Sequence, residues 1–393
     1  MLRAAAIIVR GSSPVRFAGV DLSERAVRLA RKAGVEQIRV VEDVRPLVVL
    51  PLASTVLVIP ERVIVEPALV RHLLERGLGP DEDAAVLIDR DGRASGVVLM
   101  SLAAMSRVRW APRLHSAIRR LAVEAHVGTV SCGSRFCVEL RDARALPALE
   151  QAYMTVTNGA DGEGYFTRNI RRFSIPVSRW LVRRGTSANQ VTIAGFVLAI
   201  ASGLAFAMGG YGFGIAGALL YWASMVLDCS DGEVARATLT ESKYGAWLET
   251  ITDYLSYFAV LAGIVYGDVR TEGLCKHAVS AMVAAASSFS IVTLVGYLRA
   301  RVASENPGGF DDALVADLSQ GTTVQRFAVW GRQLIKRAFV AHLILFQAFI
   351  GQLPALTEIW AVGSVAALIV VLSVHTHIIR TVRPAPIAPA VTA

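Results

Sequence analysis

Cysteine is scarce in this 393-residue chain, which has four: Cys132, Cys137, Cys229 and Cys275. No two of them form a Cys-x-x-Cys pair, so the sequence excludes a disulfide framework and a cysteine-based zinc site. The histidines of the first half of the chain are scattered and show no ligand spacing. We therefore expect free thiols that face a reducing cytosol.

Signatures of nucleic-acid recognition are also missing, because there is no zinc-finger spacing and no aromatic-basic RNA motif. The net charge is nevertheless +8, from 40 Lys and Arg against 32 Asp and Glu. The arginines crowd the ends of apolar runs, and six of them lie between residues 163 and 185. This distribution favours a lipid bilayer over nucleic acid as the partner of the basic charge.

Charge is rare in long stretches after Asn189, where apolar residues dominate a chain that is 54% hydrophobic overall. A membrane-spanning helix needs roughly 20 apolar residues, or fewer where helices pack tightly. We predict an all-α bundle of six membrane-spanning helices at 190–209, 211–228, 246–266, 278–298, 338–353 and 357–379. Most Arg and Lys of the connecting loops fall on one side, so the positive-inside rule predicts an integral protein of the cell (inner) membrane with both termini cytoplasmic.

Residues 1–155 predict a soluble cytoplasmic α/β domain, because short strand-like apolar runs alternate with helical stretches. Such alternation favours a mostly parallel sheet. Residues 156–187 combine a turn-rich hinge with a basic amphipathic helix, which we expect to lie in the membrane interface. The six-span domain then covers 188–383, and 384–393 form a tail.

Four carboxylates follow one another at helical spacing near the ends of the second and third predicted spans. Asp228 and Asp231 are three residues apart, and Glu249 and Asp253 are four apart, so each pair shares one helical face. A loop between the pairs lets two antiparallel helices present all four acids to one another at the cytoplasmic edge of the bilayer. Such a cluster is costly without cations, and its hard oxygen ligands suit a pair of Mg²⁺ or Mn²⁺ ions that also bind substrate phosphates.

The residues around these acids fit the same chemistry. Gly232, Ala235 and Gly245 leave room for a nucleotide against the helices, and Arg236 offers a fixed cation to a phosphate. One remaining carboxylate can take the proton from an attacking hydroxyl. The pattern therefore predicts metal-assisted transfer of a phosphate-linked group.

The whole motif is long, gapped and specific. Its sequence is Asp228-x-x-Asp231-Gly232-x-x-Ala235-Arg236, then eight residues, then Gly245-x-x-x-Glu249-x-x-x-Asp253. This pattern resembles the signature of the CDP-alcohol phosphotransferases, and the resemblance extends over residues 160–383. There are two departures: Glu249 stands where the family has Asp, and Ala188 where it usually has Pro.

The resemblance implies a role for each matching residue. Asp228, Asp231 and Glu249 would hold one metal ion, Asp228, Glu249 and Asp253 a second, and Asp253 would be the general base. The CDP-binding set would comprise Asn189, Gln190, Val191, Thr192, Gly232, Ala235, Arg236, Ser242 and Gly245. An acceptor phosphate would meet Arg299, Arg332 and Arg337, although each of these could equally be a membrane-edge anchor. A homodimer is likewise implied by the resemblance.

The N-terminal region also resembles the opening of the sugar-phosphate nucleotidyltransferases, since an apolar strand, a loop and a helix ending at Gly34 follow one another. The glycine-rich loop of active relatives is missing, because residues 9–16 hold one glycine. Pro60-Glu61 stands where the metal-binding Gly-Asp would be. We expect a scaffold or regulatory domain without transferase activity.

Three functions remain open. The first is an enzyme that uses a CDP-alcohol donor, of the CDP-diacylglycerol or the CDP-inositol type, and releases CMP. The second is a catalytically impaired scaffold of the same fold, suggested by Glu249 and the degenerate N-terminal domain. The third is a transporter that uses the acids as an ion path, which the clustering of the acids at one membrane edge disfavours.

Overall fold

A computed structural model describes residues 4–10, 15–41, 55–89, 91–107, 126–158, 164–273, 278–302 and 337–381. The chain divides into two compact units, which do not follow one another along the sequence. The first unit comprises Met1–Glu163, Arg172–Val191 and Cys229–Ala246, and the second comprises Gly164–Arg171, Thr192–Asp228 and Trp247–Ala393. The predicted boundaries at 155 and 187 stay a prediction.

The first unit contains the α/β fold that the alternating pattern predicts. Its strands are β1 Ala4–Val9, β2 Arg16–Phe17, β3 Val20–Asp21, β4 Gln37–Val41, β5 Thr55–Pro60, β6 Val63–Val65, β7 Ala84–Ile88, β8 Ala94–Ser101, β9 Val127–Ser131 and β10 Cys137–Glu139. Its first four helices are α1 Leu22–Lys32, α2 Pro67–Arg76, α3 Leu102–Arg107 and α4 Leu146–Asn158.

Six of these strands form one sheet in the order β4-β1-β5-β8-β7-β9. The pairs β1–β4, β1–β5 and β7–β9 are parallel, whereas β8 is antiparallel to both of its neighbours. The exception has a local cause, because Asp89 accepts backbone N–H groups at Asp91 and Arg93, and Gly92 has a φ of 74°. This tight turn makes β7 and β8 a hairpin, so the sheet is mixed.

The sheet buries apolar side chains on both faces, as expected for strands covered on both sides. Alternate residues of the central strands point to opposite faces, so Leu57 and Leu99 belong to one apolar cluster and Val58 and Val98 to the other. Helix α1 begins at Asp21, whose carboxylate accepts the backbone N–H of Ser23 at 3.0 Å. The hydrogen bond from the Ser23 hydroxyl lowers the pKa of Asp21.

Seven long helices follow. They are α5 Tyr165–Arg183, α6 Ala188–Met208, α7 Tyr211–Thr238, α8 Lys243–Glu272, α9 Ala278–Val302, α10 Arg337–Phe349 and α11 Ala355–Thr381. A helix overlaps each of the six predicted spans, but α10 ends at Phe349, four residues before the predicted end of the fifth span. In the described part of the chain, three helical segments are long and apolar enough to cross a membrane: Ala188–Met208, Tyr211–Thr238 and Lys243–Thr271. The count of six spans stays a prediction.

Small residues let helices of the second unit approach closely. A Cβ atom added to Gly203 on α6 would lie 2.5 Å from the carbonyl oxygen of Ala259 on α8. A Cβ atom on Gly263 would meet the carbonyl oxygen of Gly203 even more closely. Nearer the start of α6, Ser224 of α7 donates its hydroxyl to the carbonyl oxygen of Gly195 at 2.8 Å. Glycine contacts and short hydroxyl bonds of this kind are typical of helices packed in a membrane.

The predicted interfacial segment 156–187 contains the last three residues of α4 and all of α5. Residues 159–163 lie outside the described residues, and helix α5 contains the basic amphipathic stretch. Within the first unit, Phe173 and Trp180 are about half-exposed, whereas Ser174 and Ser178 are completely buried. The helix therefore has an exposed face with aromatic residues and a buried face with serines, and its location in the membrane interface stays a prediction.

Candidate functional site

Helices α7 and α8 carry the four predicted acids. Asp228 and Asp231 lie one turn apart on α7, which continues past the predicted end of the second span to Thr238. Glu249 and Asp253 lie one turn apart on α8. Only residues 239–242 connect the two helices, and Leu239 adopts a φ of 56° there. The sequence prediction of two helices joined by a short loop is therefore confirmed.

Two of the four carboxylates meet at one cation. The Nη1 atom of Arg337, the first residue of α10, donates to Asp228 Oδ1 at 2.5 Å and also forms an ion pair with Asp253 Oδ1. All three side chains are at least three-quarters buried. The guanidinium carbon also lies 5.5 Å from the ring centre of Tyr257. A shared cation reduces the cost of burying two like charges side by side.

The other two acids have different surroundings. Glu249 is exposed, one turn before Asp253. Asp231 is 2% exposed, and its Oδ1 atom accepts the backbone N–H of Gly232 at 2.6 Å. In the part of the chain that the structure describes, no three His, Cys, Asp or Glu side chains form a group that could hold a metal ion. The four-carboxylate metal set therefore stays a prediction.

The donor chemistry nevertheless fits a divalent cation. Asp228 and Asp253 offer carboxylate oxygens, which are the ligands that Mg²⁺ and Mn²⁺ prefer. These oxygens already share one positive charge, because the Arg337 guanidinium lies between them. Arg337 thus stands in for part of the charge that a metal ion would bring.

Arg236 lies back along its own helix towards Gly232. A Cβ atom on Gly232 would lie 3.0 Å from Arg236 Nη1, so a larger residue would push the guanidinium away. The Nε atom of Arg236 donates to Asn158 Oδ1 at 2.5 Å. With Nε engaged, the two Nη groups are the ones that a phosphate would meet. Gly232 thus leaves room for the Arg236 guanidinium, and the role of both residues in binding CDP stays a prediction.

Three of the predicted CDP-binding residues lie together in the first unit. A Cβ atom on Gly245 would lie 3.3 Å from both Asn189 Oδ1 and Ser242 Oγ. The backbone N–H of Gly245 donates to Ser242 Oγ at 3.0 Å, which begins helix α8. Gly245 thus lies close to two polar side chains, and the role of all three residues in binding CDP stays a prediction.

The segment before α6 has a structural role as well. Ser187 N–H donates to Gln190 Oε1 at 3.0 Å, and Gln190 N–H donates to Ser187 Oγ at 3.4 Å. This reciprocal pair is a capping box, which satisfies backbone donors at the helix start. Val191 and Thr192 are buried, and Ala235 on α7 is partly buried.

The three arginines predicted for an acceptor phosphate have different outcomes. Arg337 lies beside Asp228 and Asp253, among the predicted catalytic residues. Arg299 lies in α9, but its side chain is outside the described residues, and Arg332 is outside them entirely.

One buried acid inside the motif is absent from the predicted site residues. Glu233 is completely buried, and its two carboxylate oxygens accept the hydroxyls of Ser174 and Ser178 on α5, both at 2.6 Å. The two serines are four residues apart, so they share one face of α5. That spacing was the available signal, since it places two polar side chains within an otherwise apolar helix face.

Asn158 is likewise absent from the predicted site residues, and it falls in the predicted hinge segment. Asn158 is instead the last residue of α4 and is 2% exposed. Its amide Nδ2 donates to the carbonyl oxygen of Met154 at 2.6 Å, so its Oδ1 atom faces Arg236.

Comparison with known proteins gives consistent relatives. Residues 185–374 match the family described as CDP-alcohol phosphatidyltransferase. The bifunctional IPC transferase and DIPP synthase of Aquifex aeolicus is 36% identical over 104 residues, which are 26% of this chain and 23% of that protein. The archaetidylinositol phosphate synthase of Methanothermobacter thermautotrophicus is 34% identical over 133 residues, covering 32% of this chain and 65% of that protein. This chain thus spans about a quarter of the bifunctional relative and under two thirds of the second.

Solved structures also align with the chain. The crystal structure of Mycobacterium tuberculosis phosphatidylinositol phosphate synthase (PgsA1) in complex with manganese and citrate covers 52% of this chain and 88% of that chain. The TM-score is 0.38 and the identity 22%. The family match and the signature from Asp228 to Asp253 agree. The segment from residue 185 to residue 374 belongs to the CDP-alcohol phosphatidyltransferase family.

Proposed function

We propose that this chain transfers a phosphoalcohol group from a CDP-alcohol to an acceptor hydroxyl and releases CMP. The observation that carries the proposal is the cation shared by Asp228 and Asp253, which belong to the two halves of the family signature. Two acids from different helices converge on one positive charge, as a site for divalent ions requires. Two Mg²⁺ or Mn²⁺ ions would be held by Asp228, Asp231, Glu249 and Asp253.

Different residues of the chain have different roles in the proposed reaction. Asp253 takes the proton of the acceptor hydroxyl, whose oxygen then attacks the phosphorus atom that bears the donor alcohol. The bond between this phosphorus and the bridging oxygen breaks, and CMP leaves with the electron pair. Arg236 binds the diphosphate through its Nη groups, while Asn189, Ser242 and Gly245 surround the nucleotide. Bound divalent ions would supply neutralisation of the diphosphate and of the charge that develops on CMP.

Most of the acceleration comes from holding the reactants in line and from fixed charges near the leaving group. Arg337 contributes one such charge. Its guanidinium pairs with Asp253, so an acceptor that carries a phosphate would meet a cation beside the proposed base.

An apolar cavity supports a lipid donor. It has a volume of about 530 Å³ and is lined by side chains of α8, α9, α10 and α11, among them Phe258, Leu343 and Trp360. Tyr257 lines this cavity and also lies against Arg337, so the apolar space begins beside the paired carboxylates. A long apolar chain would be buried there while its phosphate lay at the acids. This favours a donor of the CDP-diacylglycerol type over CDP-inositol.

The names of the relatives suggest the acceptor. One relative is named archaetidylinositol phosphate synthase, and another, from Mycobacterium bovis, is named phosphatidylinositol phosphate synthase. We infer that inositol phosphate is the first acceptor to test. The remaining parts of the proposal are a bilayer location with the site and both termini cytoplasmic, a homodimer, and an N-terminal domain without transferase activity.

The experiment uses the full chain in lipid nanodiscs with Mg²⁺ or Mn²⁺. CDP-diacylglycerol or CDP-inositol is supplied with inositol phosphate, and mass spectrometry follows CMP and the product. We expect CMP release with the lipid donor that requires both the acceptor and the metal ion. Asp253→Asn should abolish release, whereas Asp268→Asn, which changes an acid of the same helix outside the signature, should retain it.

Other outcomes separate the alternatives. CMP release with CDP-inositol but not with CDP-diacylglycerol would show that the donor is soluble and not a lipid. No release with any donor, together with recovery in Glu249→Asp, would indicate a catalytically impaired scaffold. An unchanged rate in Asp253→Asn would remove this residue as the base.

A further inference from the structure

Two arginines of the α/β domain donate hydrogen bonds to the end of α7, the helix that carries the first half of the signature. Arg25 Nη1, on α1, donates to the carbonyl oxygen of Ala237, and Arg28 Nη1 donates to that of Thr238 at 2.8 Å. The last carbonyls of a helix have no partner within the helix, and they carry partial negative charge. Two arginines of one domain therefore cap α7 directly after Arg236.

Arg25 has little freedom to move. It is 3% exposed, and its guanidinium carbon lies 4.8 Å from the ring centres of both Phe17 and Tyr153. Burial lowers the pKa of Arg25, but a guanidinium stays charged in proteins. The aromatic faces and the helix carbonyl together offset its loss of hydration.

The turn after α7 is anchored in the core of the same domain. Leu239 is 5% exposed and belongs to the apolar cluster that includes Ala26, Leu29 and Leu57. It reaches this position with a φ of 56°, a conformation that costs a leucine on the order of 1–3 kcal/mol. Apolar burial offsets that cost, so the end of α7 is held by packing as well as by capping.

Asn158 restrains the side chain of Arg236 directly. Asn158, the last residue of α4, accepts Arg236 Nε at 2.5 Å and is held by the carbonyl oxygen of Met154. Arg25 and Asn158 thus restrain the last turn of α7, and the burial of Leu239 restrains the residue that follows it.

We propose that the α/β domain is a positioning clamp, in which Asn158 orients Arg236 towards the diphosphate of the CDP-alcohol and Arg25 holds the helix end that carries it. The clamp rests on the proposed function, because Arg236 must bind the diphosphate. This positioning role requires neither a glycine-rich phosphate loop nor a catalytic residue in the α/β domain. Asn158 and Arg25 are positioning residues, since they act through Arg236.

The test measures nucleotide affinity and turnover separately. CMP binding to the full chain in nanodiscs is followed by calorimetry, and kcat and KM for CDP-diacylglycerol are measured for Asn158→Ala. Loss of one hydrogen bond to a charged group predicts about a tenfold loss of CMP affinity. KM should rise by a similar factor while kcat changes little. Asn158→Asp, which keeps the acceptor oxygen, should recover most of the affinity.

A double-mutant cycle decides whether Asn158 acts through Arg236. In an Arg236→Ala background, Asn158→Ala should have no further effect on CMP affinity. Arg25→Met should weaken CMP binding in the same direction as Asn158→Ala. Arg76→Met is the matched control, because the pair of Arg76 with Glu82 at 2.6 Å lies within the α/β fold. The melting temperature of each variant shows whether it folds.

Additive effects of Asn158→Ala and Arg236→Ala, or an equal loss of affinity in Arg76→Met, would overturn the clamp. A wild-type protein that binds CMP but releases none would overturn the proposed function, while the affinity cycle would still decide the clamp. A wild-type protein that does not bind CMP would overturn both.

Discussion

The guanidinium of Arg337 lies 2.5 Å from the carboxylate of Asp228, and this ion pair joins the first residue of α10 to the signature helix α7. The same guanidinium reaches Asp253 on α8, so three helices meet at one pair of charges and their shared partner. A buried charge costs free energy when it is unpaired, and an opposite charge beside it offsets much of that cost.

Arg337→Gln leaves Asp228 and Asp253 without their shared cation. Removing one partner of a buried ion pair costs about 3–5 kcal/mol, so the variant should unfold at a lower temperature than the wild type in EDTA. Mn²⁺ should recover much of this loss, because the two carboxylates can bind it instead. Thermal unfolding with EDTA and with MnCl₂ measures both effects. Arg270→Gln, near the other end of α8, is the charge-matched control, and an equal Mn²⁺ response in wild type and Arg337→Gln would contradict the prediction.

Glu233→Ala removes the buried acceptor of two hydroxyls. Ser174 and Ser178 would be left with buried donors and a cavity, so we expect the free energy of unfolding to fall by about 3 kcal/mol. Glu233→Gln keeps an amide oxygen at nearly the same place and should lose less. Thermal unfolding of both variants tests this order, and equal losses would show that the hydroxyl contacts contribute little.

Gly263→Ala tests the close approach of α6 and α8. The added methyl group would meet the carbonyl oxygen of Gly203, which belongs to helix backbone and must shift. We expect a clear drop in melting temperature despite the better helix propensity of alanine, which favours the helix by about 1 kcal/mol. Gly363→Ala on α11 is the control, since its methyl group meets nothing within 4 Å in the described structure. A similar result for both variants would argue against the tight contact.

Glu82 makes the α/β domain sensitive to acid. The Arg76 guanidinium and the backbone N–H of Gly79 hold the pKa of Glu82 at about 2, below its usual value of 4.5. A lowered pKa adds stability that is complete above the usual pKa and is lost as the pH falls towards 2. Glu82→Gln should therefore lower stability at pH 7 and flatten its decline between about pH 4.5 and 2.

Circular dichroism of thermal unfolding across this pH range measures the effect of Glu82→Gln. Glu139→Gln removes an equal charge from the same domain and serves as the control. A decline between pH 4.5 and 2 that is as steep in Glu82→Gln as in the wild type would assign the acid sensitivity to another group.

Several features could be predicted because they depend on local spacing. The separation of Asp228 from Asp231, and of Glu249 from Asp253, places each pair on one helix face whatever surrounds it. The order of strands and helices in the first domain is likewise a local pattern. The alternation of strand-like and helical stretches did not predict that β8 is antiparallel to β7, which depends on the short turn between these two strands. Glu233 and Asn158 were not predicted as site residues, because a single acid or amide forms no repeating pattern along the chain.

By itself, the sequence determined the succession of α/β elements and long apolar helices, the two acid pairs on consecutive helices, and the family of residues 185–374. These properties depend on near neighbours in the chain, whose geometry the helix repeat sets. Only the tertiary structure decided that Arg337, 109 residues from Asp228, is the cation between the acids, and that Arg25 and Asn158 hold the end of α7. The partner of a buried charge is chosen by packing between distant segments, where many residues of the same type compete and spacing along the chain carries no information.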